Sequence, residues 1–205
     1  MRLLVVRHGE SEGNARRIIQ SRAEFDLTET GRGQARLTAD VLAGLGLTKL
    51  FTSHQRRAVQ TTDEIAAASG VEAIVTEDLA EYDVGEIAGM ELKTVRENYP
   101  GWPGLDAEVE SPEIPGEEGV DSFFGRVKRF LSTVAESEPD AVVAAVTHGM
   151  VVRAICHAVL KMPYGLESHW GGPFVPQNCA VTEIRTGRDG TPVLMRSNDT
   201  CHLED

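Results

Sequence analysis

Residues 3–9 read Leu-Leu-Val-Val-Arg-His-Gly, an apolar run that stops at a cation, an imidazole and a glycine. A continuous apolar run is typical of a strand buried on both faces, as in a parallel sheet covered by helices. Ligands bind such sheets outside the carboxyl ends of the strands. The stretch therefore predicts a central strand that places Arg7 and His8 at a ligand-binding edge.

The same ending occurs a second time along the chain. Residues 141–146 read Ala-Val-Val-Ala-Ala-Val, and Thr147-His148-Gly149 follows them. If the two strands are parallel neighbours, His8 and His148 lie on the same edge of the sheet. A single histidine at a strand end is more often structural, because imidazole readily bonds nearby backbone. Two histidines in matching contexts favour a shared site.

Helices and further strands are predicted around these two runs. Helical patterns extend from a cap at Ser53 to Gly70, from a cap at Asp121 to Pro139, and from Gly149 to Pro163. Short strand-like pieces lie at residues 50–51, 179–185 and 192–197. The alternation predicts an α/β fold, a three-layer sandwich with a mostly parallel central sheet and helices on both faces. We expect one domain over residues 1–205.

The segment between residues 85 and 119 has a different character. It is acidic, it is interrupted by four prolines, and it contains a short helical pattern at 92–98. Long irregular segments in compact domains are often lids or mobile linkers. We predict a small cap insertion at about residues 86–120, and surface decoration and a cap over a pocket both stay open for it.

The composition limits the classes of function. The chain has 205 residues, 41% of them hydrophobic, and a formal net charge of −12. Nucleic-acid binding and polybasic membrane binding need a surplus of Lys and Arg, so neither is expected. No leader or membrane-spanning stretch stands out. Cys156, Cys179 and Cys201 are widely spaced and odd in number, which favours reduced thiols in a cytoplasmic protein over disulfides or a metal site.

Arg57 is a further candidate for binding an anion. Thr52-Ser53 ends the short strand at 50–51, and Arg57 lies about one turn into the helix that follows. Helix N-termini attract anions, and an arginine there can add a bidentate clamp. Standing alone, Arg57 would be interpreted as a solvated helix charge.

Several motifs follow one another in a characteristic order. The main ones are Arg7-His8-Gly9-Glu10-Ser11 with Asn14, the segment 53–61, and Thr147-His148-Gly149. Others are Leu27-Thr28-Glu29-Thr30-Gly31, Glu81 with Gly85-Glu86-Ile87-Ala88-Gly89, Pro115-Gly116 with Glu118, Arg126-Val127, and Asn178. This ordered set resembles the histidine phosphatase superfamily, which includes the cofactor-dependent phosphoglycerate mutases. A bare Arg-His-Gly triplet arises by chance, whereas the ordered set is highly specific.

The resemblance implies a mechanism and a set of site residues. His8 would attack phosphorus and become a phosphohistidine, and Glu81 would protonate the leaving alkoxide and then activate water. The phosphoryl oxygens would be held by Arg7, Arg57 and His148 with Asn14 as a further donor, and the substrate would also contact Gln20 and Ser21. No metal or cofactor is then needed. Composition alone does not select Glu81, which is one of five carboxylates in residues 77–86.

A few positions depart from the family pattern. Gln20-Ser21 stands where the family often has Gln-Gly. His54 and Gln55 stand where a small or acidic residue and a leucine are common. We expect these positions to lie away from the predicted phosphate clamp, and therefore to affect substrate recognition more than catalysis.

Three functions stay open. The leading hypothesis is a metal-independent phosphomonoester phosphatase that acts on a small phosphorylated metabolite and releases inorganic phosphate. A cofactor-dependent phosphoglycerate mutase would need more basic contacts than Lys93 and Arg96, the only cations in residues 86–120. A non-catalytic phosphate-binding or scaffold relative is the third. A homodimer is compatible with the sequence.

Overall fold

The computed structural model describes residues 1–102, 112–165, 172–187 and 189–204. Within them, six strands form one sheet: β1 (Arg2–Arg7), β2 (Lys49–Thr52), β3 (Ala73–Val75), β4 (Val142–Thr147), β5 (Val181–Thr186) and β6 (Pro192–Asp199). Their order is β3-β2-β4-β1-β5-β6. The neighbours from β3 to β1 are parallel, and β5 runs antiparallel to both β1 and β6. The predicted mostly parallel sheet is confirmed.

Helices cover both faces of the sheet. They are α1 (Glu12–Ala15), α2 (Glu29–Ala43), α3 (Arg56–Ser69), α4 (Leu92–Asn98), α5 (Val120–Ala135) and α6 (Gly149–Val159). Side chains alternate along β1, so Leu3 and Val5 pack with α5 and α6, whereas Leu4 and Val6 pack with α2 and α3. This confirms the three-layer α/β fold. In the described part of the chain, no helix is long and apolar enough to cross a membrane.

The pairing of β1 with β4 brings the two His-Gly segments together. Arg7 lies opposite Thr147 in the parallel register. The backbone N–H of His8 donates to the carbonyl of Thr147 at 2.8 Å. His8 and His148 therefore lie side by side at the carboxyl edge of the sheet, as the repeated motif predicts.

Two of the predicted helix caps are wrong. The N-cap of α3 is Gln55, and the N-cap of α5 is Gly119. Ser53 lies two residues before the N-cap of α3, and its hydroxyl is 2.9 Å from Nε2 of His148. Asp121 lies inside the first turn of α5. The helices themselves occur where their apolar spacing predicts them.

The first part of the predicted cap insertion packs against the core. Val95 of α4 is fully buried. Ile19 exchanges backbone hydrogen bonds with Gly89 and Met90, at 2.8 and 2.9 Å. This contact joins the insertion to the segment that follows α1. Residues 103–111 of the insertion lie outside the described residues, and a capping role stays a prediction.

Candidate active site

His8 lies at the carboxyl end of β1 with its ring buried. Its Nδ1 is 2.7 Å from the carbonyl oxygen of Gly9. Because a carbonyl can only accept, Nδ1 carries the proton and Nε2 keeps its lone pair. A nucleophilic imidazole requires this tautomer when it attacks through Nε2.

The two histidines at the sheet edge are held neutral. Their ring centroids are 5.1 Å apart. Burial, and then the charges of Arg57 and Arg7, lower the pKa of His8 well below its usual value. Burial also lowers the pKa of His148, together with Arg57 and His8. His8 therefore does not have to lose a proton before it can attack at neutral pH.

Ser53 orients His148. The Nε2 of His148 is 2.9 Å from Oγ of Ser53, which also accepts a hydrogen bond from the backbone N–H of Gln55 at 3.3 Å. When the Ser53 hydroxyl donates to Nε2, the proton of the neutral ring lies on Nδ1. This Nδ1 is buried and has no partner among the described residues. His148 does not line the cavity beside His8, so its contact with an anion bound there stays a prediction.

Arg7 and Arg57 supply the positive charge of the site. Nη1 of Arg7 donates to the carbonyl of Pro176 at 2.7 Å. Nη1 and Nη2 of Arg57 donate to the carbonyls of Ala23 and Ser21, at 3.0 and 2.8 Å. The Nε atoms of both arginines are buried without a partner in the described part of the chain. Burial lowers the pKa of Arg57 to about 10, so it stays protonated at neutral pH.

One cavity of about 120 Å³ collects most of the predicted site residues. Its lining consists of Arg7, His8, Ile19, Gln20, Ser21, Arg57, Glu81, Tyr82, Val84 and Met150. Two guanidinium groups, a neutral imidazole and a carboxyl group thus surround one small volume. Phosphoryl transfer depends mainly on positioning and on charge stabilisation, so a phosphoryl group suits this lining. No cluster of His, Cys, Asp or Glu that could hold a metal ion occurs in the described residues.

Glu81 has the environment of a proton donor. It lies in residues 80–84, which we name the acid loop. Its Oε1 accepts from the N–H of Tyr82 at 3.0 Å, and its Oε2 from the N–H of Met150 at 3.4 Å. Burial raises the pKa of the carboxyl, although the Tyr82 amide and Arg57 oppose this. A raised pKa is what a carboxyl group needs to carry a proton near neutral pH.

Arg126 anchors the backbone of the acid loop. It is buried on α5 and donates to the carbonyls of Asp78, Ala80 and Glu81, at 3.1, 2.6 and 3.1 Å. It also pairs with Glu118 at 2.8 Å. The family resemblance included Arg126 and Glu118 without a role, and the geometry identifies them as supports of Glu81.

Two further predicted residues bond to neighbouring protein groups. Oε1 of Gln20, which lines the cavity, accepts from Oγ of Ser11 at 2.7 Å. Asn14 is not part of the cavity lining, and its Oδ1 accepts from Nδ2 of Asn178 at 3.2 Å. That same Nδ2 donates to the carbonyl of His8 at 2.9 Å. Asn178 therefore links Asn14 to the backbone of His8, and contact of Asn14 and Gln20 with a substrate stays a prediction.

Gln55 is a site residue that the sequence analysis did not assign. Its side chain is buried, and its Oε1 accepts from the N–H of Glu81 at 2.7 Å. Its Nε2 donates to the carbonyl of Ser21 at 2.5 Å. Ser21 lines the cavity, but its hydroxyl donates to the carbonyl of Tyr82 at 2.8 Å. The sequence feature that could have indicated this role is the glutamine at position 55, where the family commonly has a leucine.

Known proteins share this fold and these motifs. The sequence profile of the histidine phosphatase superfamily (branch 1) matches residues 3–200. Phosphoserine phosphatase 1 of Hydrogenobacter thermophilus is 32% identical, over 99% of this chain and 94% of that protein. A probable phosphoglycerate mutase of Cronobacter sakazakii is 29% identical, over 90% of this chain and 84% of that protein. A mycobacterial glucosyl-3-phosphoglycerate phosphatase structure is 25% identical, with a TM-score of 0.83 over 97% of this chain and 99% of that one. The chain therefore belongs to the histidine phosphatase superfamily.

Proposed function

We propose that this chain hydrolyses phosphomonoesters of small metabolites through a phosphohistidine on His8, without a metal ion. The chain is a phosphoric monoester hydrolase of its family, in line with the phosphatases among its relatives. The observation that carries the proposal is the 2.7 Å contact between Nδ1 of His8 and the Gly9 carbonyl, which leaves the lone pair on Nε2, in a cavity lined by Arg7, Arg57 and Glu81. The names of relatives, phosphoserine phosphatase and glucosyl-3-phosphoglycerate phosphatase, support a small phosphorylated substrate.

The proposed reaction has two displacements at phosphorus. In the first, the lone pair on Nε2 of His8 forms an N–P bond while the P–O ester bond breaks, and the proton of Glu81 passes to the leaving oxygen. In the second, water attacks the phosphohistidine and gives a proton to Glu81, and the N–P bond breaks to release inorganic phosphate. Arg7, Arg57 and His148 stabilise the charge on the phosphoryl oxygens in both steps.

The proposal can be tested with a panel of phosphomonoesters in the presence of EDTA. We expect the wild type to release phosphate and His8→Ala to lose activity by about 10³-fold or more, as for other nucleophiles. His54→Ala is a matched control, because His54 pairs with Glu77 outside the cavity. Radiolabelled substrate should leave an acid-labile label on the wild type and none on His8→Ala. Phosphate release that needs a metal, or that persists in His8→Ala, would refute the proposal.

The mutase relative makes phosphoglycerate mutase the second candidate. A mutase returns the phosphoryl group from His8 to a bound phosphoglycerate, whereas a phosphatase gives it to water. Bisphosphoglycerate-dependent interconversion of phosphoglycerates, without release of phosphate from monoesters, would favour the mutase. Phosphate binding with neither reaction and no labelled His8 would indicate a scaffold protein.

A further inference from the structure

Two residues that depart from the family pattern, Ser21 and Gln55, contact each other beside the acid loop. Nε2 of Gln55 donates to the carbonyl of Ser21 at 2.5 Å, and both residues are buried. The glycine and leucine that are common at these positions have no polar side-chain atoms. The two departures therefore form one connected feature of this chain.

The hydroxyl of Ser21 joins two backbone groups of the acid loop. It donates to the carbonyl of Tyr82 at 2.8 Å and accepts from the N–H of Val84 at 2.9 Å. The φ angle of Ser21 is +48°, in the left-handed region that favours glycine. Serine is thus the less favourable residue for this backbone, and its hydroxyl provides the contact that glycine cannot make.

Gln55 holds the backbone of Glu81 itself. Its Oε1 accepts from the N–H of Glu81 at 2.7 Å. Gln55 is also the N-cap of α3, the helix that carries Arg57. The carbonyl of Ser21 accepts from Nη2 of Arg57 at 2.8 Å, so the expectation that Ser21 lies away from the phosphate clamp is wrong. One small buried network therefore fixes the proposed general acid relative to an arginine of the phosphate clamp.

We propose that Ser21 and Gln55 are positioning residues, which hold Glu81 where it can protonate the leaving oxygen. The inference rests on the proposed function, in which Glu81 is the general acid. A general acid must lie within about 2.6–3.2 Å of the oxygen that it protonates. A displacement of about 1 Å can slow a reaction by about 10²-fold. Loss of either side chain should therefore slow those reactions that need the proton of Glu81.

Substrates with different leaving groups separate this role from phosphate binding. An alkoxide is a poor leaving group and needs a proton, whereas p-nitrophenolate departs readily without one. The quantity to measure is the ratio of kcat/KM for the alkyl phosphate that the wild type hydrolyses best to kcat/KM for p-nitrophenyl phosphate. Both kcat/KM values are measured with the same preparation of enzyme. A variant that folds poorly lowers both values by the same factor, so their ratio does not change.

Ser21→Gly suits the left-handed backbone and removes the hydroxyl. Gln55→Leu keeps the approximate size and removes the side-chain hydrogen bonds to Ser21, Glu81 and Ser53. We expect each variant to lower the ratio about 10-fold, because hydrolysis of the alkyl phosphate should slow more than hydrolysis of p-nitrophenyl phosphate. Glu81→Gln sets the upper limit for the decrease in this ratio, because general acid catalysis contributes about 10²–10⁴-fold to the reaction rate. Thr38→Val is the control for loss of a buried hydroxyl outside the cavity lining, here one that donates to the carbonyl of Gln34 and lies 3.0 Å from Nε2 of His202, and it should leave the ratio unchanged.

Three results would overturn the proposal. Unchanged ratios in Ser21→Gly and Gln55→Leu, beside a lowered ratio in Glu81→Gln, would refute the positioning role and leave the proposed function intact. Equal losses on both substrates would place the two residues in phosphate binding instead. An unchanged ratio in Glu81→Gln would remove Glu81 as the general acid, and the positioning role with it.

Discussion

Replacement of Glu183 by glutamine should destabilise the protein at neutral pH and remove part of its sensitivity to acid. The Glu183 side chain, on β5, is 1% exposed. It accepts hydrogen bonds from Arg2, Arg185 and Arg196 at 2.6 to 3.0 Å. Burial raises the pKa of this carboxyl, and the three arginines overcome that effect and lower the pKa to about 2.

The size of the effect follows from the change of pKa on folding. The ordinary pKa of a glutamate is 4.5, and each pKa unit is worth about 1.4 kcal/mol, so ionised Glu183 contributes at most about 3 kcal/mol. Solvent screens the pairing, because Arg185 and Arg196 are about half exposed, and we expect about 2 kcal/mol. Since the folded-state pKa is depressed, the contribution is full above pH 4.5 and is lost as the pH falls towards 2.

Urea denaturation of the wild type and Glu183→Gln at about pH 7, 4 and 3 measures this contribution. The difference in unfolding free energy should be about 2 kcal/mol at neutral pH and should shrink at about pH 3. Glu97→Gln is the matched control, because Glu97 belongs to an exposed pair with Lys93 at 3.8 Å. It should change stability by less than about 0.5 kcal/mol. A Glu183→Gln difference that is the same at all three pH values would refute the reasoning.

Three further outcomes are expected. Gly31→Ala should lower the thermal midpoint strongly, because its Cβ would lie 1.9 Å from the carbonyl oxygen of Glu10, and a midpoint like that of the wild type would contradict this close approach. Burial and the nearby arginines lower the pKa of His8, so kcat/KM should persist below pH 6.5, and it should fall at higher pH as Glu81 loses its proton. The ratio of wild-type to Glu81→Gln activity should therefore decrease as the pH rises, and a ratio independent of pH would exclude Glu81 as the titrating group. Arg7→Lys should lower kcat/KM by about 10²-fold, because lysine lacks the planar donor geometry, and activity close to the wild type would remove Arg7 from the clamp.

The fold elements that cross the core were predictable from their residue patterns. β1 and β4 are continuous apolar runs because helices cover both of their faces. β3 was not predicted, because its three residues are exposed at the edge of the sheet. α2 was also missed, because small buried residues such as Ala35 and Ala39 replace much of the large apolar stripe that marks a helix.

The site was predictable where it depends on strand ends and less so where it depends on loops. His8 and His148 each follow a strand, so a parallel pairing is enough to bring them together. Glu81 lies in an acidic segment and differs from the neighbouring carboxylates in lining the cavity, which no local pattern shows, so the family resemblance was needed to select it. The contacts of Ser21 and Gln55 with the acid loop join residues that are far apart in sequence, and no local pattern indicates such contacts.

The cavity keeps its positive charge available to a substrate, although the whole chain carries a net charge of −12. Arg7 and Arg57 are held by the backbone carbonyls of Pro176, Ala23 and Ser21. Neither arginine takes part in any of the ion pairs found in the described residues. A carbonyl fixes a guanidinium group without neutralising it, whereas a carboxylate partner would compete with the phosphoryl group for the same charge. Because burial lowers the local dielectric constant, two such cations attract a phosphoryl dianion more strongly than surface cations would. An acidic protein can thus bind an anionic substrate at this one point.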